Sequence, residues 1–186
     1  LGLPEAELQR HIASDIGAAA LARLRAERFR APAILTRFSR LIIDPNRGED
    51  DPTLIMRLSD GAVVPGNATF DAAERERRLD RFYRPYHVAI ARQIDAMLAS
   101  GTPPAILSLH SYTPVWKGDR RPWHAGILWD RDPRFARPLI DKLAAEPALH
   151  IGDNEPYLGA LKNDTMYRHA TGRGIAHALL EVRNDL

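Results

Sequence analysis

Ala105-Ile106-Leu107-Ser108-Leu109-His110-Ser111-Tyr112-Thr113 is an apolar run that ends in a histidine. Launched by Gly101 and Pro103-Pro104, it predicts a strand reaching Leu109. Two further segments have the same form. Leu41-Ile42-Ile43 runs into Asp44-Pro45-Asn46-Arg47, and Ala178-Leu179-Leu180 runs into Glu181-Val182-Arg183. In open α/β folds ligands bind where the carboxyl ends of the strands meet. The three segments therefore predict a site containing a histidine, an Asn-Arg pair and a glutamate.

The rest of the chain supplies the alternation that an α/β fold needs. A helix is predicted over about Glu5–Phe29, ended by Pro32, then a strand at Ala33-Ile34-Leu35 and the second at Leu41–Ile43. Residues Pro45–Phe70 are rich in Gly, Pro, Asp and Asn and read as a functional loop or lid. A long helix over about Asp71–Ala99 carries Leu79, Tyr83, Tyr86, Ile90 and Met97 as its stripe, with Pro85 as a kink or break. After a Trp-, Arg- and Pro-rich loop (Tyr112–Trp123) come a strand at Ala125–Trp129, a helix at Phe135–Ala145 and a strand at Leu149-His150-Ile151. A helical turn at Asp164–Ala170 and a closing strand at Ala176–Val182 complete the pattern. Strands alternating with helices predict one α/β domain over 1–186 with a mostly parallel sheet.

Composition narrows the function. The 186 residues carry a net charge of only +2. The densest basic run, Glu74-Arg75-Glu76-Arg77-Arg78, mixes signs as a solvated helix face does, so no nucleic-acid partner is expected. No apolar stretch approaches the roughly 20 residues of a membrane helix, and no secretory signal pattern opens the chain. Cysteine is absent, which excludes thiolate metal sites and fits a cytoplasmic protein. There is no Gly-x-Ser-x-Gly elbow, phosphate-binding glycine loop or dinucleotide fingerprint.

Each chemical residue has two readings. His110 is either a hydrogen-bonded loop histidine or a zinc ligand. Glu181 shares a strand face with His177, Leu179 and Arg183, and is either a general base or half of a buried ion pair with Arg183 or Arg40. Asn46-Arg47 suits carboxylate recognition, with Asp44 orienting the arginine and Arg40 as a second cation; Asp-Pro-Asn is also good turn sequence. Asp15 is a helix-buried acid or the partner that orients a ligand histidine, and His11–Asp15 could form a chelating pair.

The segments Ser39–Arg47, Ser108–Pro114, Gly152–Tyr157 and Arg173–Arg183, taken in order, resemble the N-formylglutamate amidohydrolase family. That resemblance implies a zinc-carboxypeptidase-like, three-layer α/β/α fold with a mixed sheet. It implies metal-dependent hydrolysis of N-formyl-L-glutamate or a similar small anionic N-acyl amino acid, as in amino-acid catabolism. A zinc carboxypeptidase or deacylase acting on another acyl group, and a metal-free anion-binding relative, are the alternatives. His110 maps to a zinc ligand and Glu181 to the general base. Asn46 and Arg47 map to a carboxylate grip, while Arg40, Arg183 and Tyr157 map to further substrate contacts, with Asp15 behind the metal ligand. The family's first metal-binding segment, an acid-His-Ala-x-Asn strand end, is expected before the opening helix, and a final helix after Glu181. Both are missing from these residues, so the resemblance implies a chain truncated at both ends that need not retain its zinc.

Overall fold

The computed structural model describes residues 1–186. Two helices open it, α1 (Glu5–Leu8) and α2 (Ala18–Phe29). A hairpin of β1 (Leu58–Ser59) and β2 (Ala62–Val63) and one helical turn, α3 (Pro65–Ala68), follow. Next come α4 (Ala72–Arg78), a π-helical turn (Leu79–Tyr83) and α5 (Arg84–Ala99). The sheet region contains β3 (Ala105–Tyr112), a hairpin of β4 (Val115–Trp116) and β5 (Asp119–Arg120), and β6 (Ala125–Leu128). It continues through α6 (Pro133–Ala144), β7 (Ile151–Asp153), α7 (Thr165–His169) and β8 (Ala176–Arg183). No helix is long and apolar enough to cross a membrane.

The central sheet has the order β3-β8-β6-β7. β3 runs parallel to β8 and β6 parallel to β7, while β6 and β8 are antiparallel. The sheet is thus mixed and mostly parallel, in an α/β fold. Period-two alternation divides β3 and β8 between two faces. On one face Ala178 and Leu180 pack with Ile127 against Ala136 and Ile140 of α6, joined by Leu21 of α2. On the other, Ile106 packs against Ile90 and Ile94 of α5 together with Ala170 and Ile175.

Four predicted elements differ, one of them only by a shift, as the strand expected at Leu149–Ile151 lies at Ile151–Asp153. The opening helix is split: residues 9–17 turn, and Gly17, at φ +81°, restarts the chain into α2 in a conformation that other residues resist. Ala33–Leu35 and Leu41–Ile43 are not strands. Leu41 and Ile43 are fully buried, but in irregular chain, and triads this short carry no periodicity to tell the two apart. Their neighbourhood is held by side chains instead of a ladder. Buried Asn67 donates to the carbonyls of Leu41 (2.7 Å) and Met56 (2.8 Å), and Arg78 donates to Asn67 Oδ1 (2.7 Å) and to the Ile42 carbonyl (2.9 Å). The predicted long helix runs through Pro85 because the π turn just before it absorbs the break that a missing N–H would cause.

Candidate active site

His110 and Glu181 are register partners on parallel β3 and β8, each third from the end of its strand. Such partners point to one face from chains about 4.8 Å apart. The next partners on that face are Tyr112 and Arg183. On the other side of β8, Gly126 of β6 is in register with Glu181. A Cβ at Gly126 would overlap the Glu155 carbonyl, so glycine here lets the Gly152–Tyr157 loop cross the sheet beside Glu181.

The turn between α1 and α2 delivers Asp15, whose Oδ2 lies 2.6 Å from His110 Nδ1. Arg40 Nη1 donates to Asp15 Oδ1 at 3.4 Å, and its Nε and Nη2 donate to Asp44 Oδ2 at 3.1 and 2.7 Å. Asp44 Oδ1 accepts from the Asn46 amide at 2.9 Å, which sets the turn into Asn46-Arg47. Charges therefore alternate along Asp44, Arg40, Asp15 and His110. Asp44 orients Arg40, not Arg47 as its place in the sequence suggested. The His11–Asp15 chelating pair does not form, because His11 turns towards Asp60 (3.6 Å) and packs edge-on against Trp116.

Burial opposes charge on His110, but the bond to and charge of Asp15, with the charge of Glu181, outweigh it and raise the imidazole pKa. For Asp15, burial is likewise outweighed, by His110 and Arg40, and its carboxyl pKa is lowered. Glu181 moves the other way. Burial, helped by the charge of Asp15, raises its pKa against the pull of His110, Arg40 and Arg121. It is 8% exposed, and its buried Oε2 has no hydrogen-bond partner. Neither Arg183 nor Arg40 forms an ion pair with it; their carboxylate partners are Asp185 and Asp15/Asp44. A desolvated, unpaired carboxylate is a strong proton acceptor.

The remaining predicted residues stand around this pair. Asn46 accepts from the Thr165 amide at the start of α7 (3.2 Å), leaving its amide nitrogen free. The Arg47 guanidinium donates only to the Asn46 carbonyl (3.0 Å) and has no carboxylate partner. Arg183 donates from Nε to Asp185 (2.7 Å) and from Nη1 to the carbonyls of Arg121, Pro122 and Trp123 (3.3–3.4 Å), so it braces that segment. Tyr157, 41% exposed, lies against Arg121. Arg121 itself escapes sequence reasoning. It is one of two adjacent arginines in a loop, and nothing but its burial, with rings at 112 and 116 near it, marks it out.

As a metal site the cluster is incomplete. With Nδ1 held by a carboxylate, His110 offers Nε2 in the geometry of an oriented metal ligand. Yet no three His, Asp or Glu side chains come together as a cage, whereas a zinc site takes three or four protein ligands. The residues present fit one corner of a zinc site, not a whole one.

A family model described as N-formylglutamate amidohydrolase matches residues 1–186. The fold is similar to the crystal structure of a gene product from Agrobacterium tumefaciens, with TM-score 0.93 and 35% identity over 100% of this chain and 73% of that one. It is also similar to N-formylglutamate amidohydrolase from Ralstonia eutropha, with TM-score 0.60 and 21% identity over 79% of this chain and 62% of that one. No curated protein matches the sequence.

Proposed function

The chain belongs to the N-formylglutamate amidohydrolase family, and on that premise we propose that it hydrolyses the amide of N-formyl-L-glutamate or a similar N-acyl acidic amino acid. The observation that carries this reading is the unpartnered, buried Oε2 of Glu181 beside a histidine already oriented by Asp15. Glu181 takes a proton from water as its oxygen attacks the acyl carbon. The same proton then passes to the amide nitrogen, and the C–N bond breaks to release formate and the amino acid. His110 Nε2, the ring nitrogen that Asp15 leaves free, faces the polarised acyl oxygen. Asn46 and Arg47, whose amide nitrogen and guanidinium lack acidic partners, hold a substrate carboxylate. Arg40 acts through Asp15 and Asp44, while Arg183 and Tyr157 support the far wall. The core is a three-layer α/β/α arrangement of zinc-carboxypeptidase type.

None of these steps uses a metal. Zinc, implied by the resemblance, finds a single ligand in His110 and would take the others from outside residues 1–186. A second reading, favoured by the guanidinium of Arg47 that has no carboxylate partner, is a metal-free relative that binds anions.

The test is formate release by the full-length protein, with its metal content measured, from N-formyl-L-glutamate and N-formyl-L-aspartate, and acetate release from N-acetyl-L-glutamate. Formate from the first is the expected result, and acetate alone would make the protein a different deacylase. Binding without turnover of any of the three would favour the second reading.

A further inference from the structure

Arg121 is 8% exposed, yet no carboxylate pairs with it, and its side chain makes a single hydrogen bond, from Nη1 to the Thr113 carbonyl at 3.4 Å. Burying a cation without a counter-charge is costly. The fold holds it there deliberately. Its guanidinium carbon lies 5.5, 5.4 and 5.1 Å from the ring centroids of Tyr112, Trp116 and Tyr157, close enough for cation–π attraction. Its backbone is pinned on both sides, the amide donating to the Pro114 carbonyl at 2.9 Å and the carbonyl accepting from Arg183. Tyr112 extends from the same strand face as His110, and the charge of Arg121 reaches Glu181 and His11.

Arg47 is the other arginine at the site without an acidic partner, and its charge reaches Asp164, as does that of His110. The charge of one unpaired guanidinium, Arg121, thus reaches Glu181 itself, and that of the other, Arg47, reaches Asp164 as His110 does, while an N-acyl acidic amino acid carries two carboxylates. We propose that Arg121, caged by Tyr112, Trp116 and Tyr157, binds the side-chain carboxylate of the substrate and selects acidic over neutral amino acids. The assignment rests on the hydrolytic reading above, with Arg47 and Asn46 taking the α-carboxylate.

The test compares N-formyl-L-glutamate with its neutral isostere N-formyl-L-glutamine, using the full-length protein, R121M and R121K, together with calorimetric binding of glutarate. The wild type should prefer the glutamate substrate, and R121M should lose about 100-fold in kcat/KM on it, mainly through KM, with little change on the glutamine substrate. R121K, which keeps the charge but loses the planar fork, should fall between them, and it carries the comparison if R121M does not fold. Glutarate affinity should fall in parallel. Equal losses on both substrates, or a wild type indifferent to the side-chain charge, would overturn the assignment while leaving the hydrolase reading intact. Glutarate binding that depends on Arg121, in a protein that releases no formate, would support the anion site and remove the hydrolase reading instead.

Discussion

His110 and Glu181 face the same way from adjacent parallel strands, and both pKa values are raised, but by different causes. Asp15 holds the imidazole 2.6 Å from its carboxylate and raises its pKa. Glu181 has no such partner, and burial raises its carboxyl pKa. One group is oriented by its partner while the other is left reactive.

Replacing Glu181 with glutamine tests the second half of that statement. The amide fills the same space and cannot take a proton, so formate release should fall by about 100- to 10,000-fold with the thermal midpoint little changed. Turnover at the wild-type level would exclude Glu181 as the base.

Asp44 is 2% exposed and neutralises Arg40. Asp44→Ala should cost about 3 kcal/mol, because it leaves a half-buried guanidinium with Asp15 as its sole acidic partner and removes the turn bond to Asn46. Urea unfolding reads the loss. A change within about 0.5 kcal/mol would show that Arg40 does not depend on Asp44.

A pH dependence follows from His87 and His169, whose facing ring nitrogens are 2.8 Å apart in the interior. Burial, with the charge of Arg168, holds His87 down to about 3. Burial, with Arg168 and Arg173, holds His169 at about 4. In the unfolded chain both titrate near 6.5. Below that pH the unfolded state binds protons that the folded state refuses. Stability present at neutral pH is therefore lost as pH falls, by up to about 1.4 kcal/mol per unit for each ring. Urea midpoints between pH 6.5 and 5 should decline steeply in the wild type and less so when both histidines are leucine. Parallel slopes would refute the assignment.

Gly126→Ala should displace the loop that crosses beside Glu181, since the added methyl group would overlap the Glu155 carbonyl. We expect a loss of about 2 kcal/mol, with reduced activity in the molecules that still fold. A fully active variant of unchanged midpoint would mean that the loop can lift without cost.

How far the sequence foretold this arrangement depended on the length of each signal. The eight-residue strands at 105–112 and 176–183 and the helices over 72–99 and 133–144 have enough positions for their periods to be read. Leu41–Ile43 does not: its carbonyls are taken by Asn67 and Arg78, far along the chain, instead of by a neighbouring strand. Its side chains pack against Ile12 and Val64 on one side and Leu54, Leu79 and Tyr83 on the other. Strand-end logic brought His110 and Glu181 into one site. It could not supply Arg121, because the same residue type sits at 120 on the surface, and a sequence does not say which of two adjacent arginines is buried.

The sheet order has a kinetic consequence. β8 lies between β3 and β6, although it follows every other strand in the sequence. β3 therefore waits for its neighbour while β4 through α7 are made, and closing that long loop is the slow kind of contact. Until then β3, with Ile106, Leu107 and Leu109, is unpaired along both its edges, the state of a nascent chain most prone to pair with another copy. Recovery of activity on refolding should lag behind the return of helix signal, because the pairing that completes the sheet also joins His110 to Glu181.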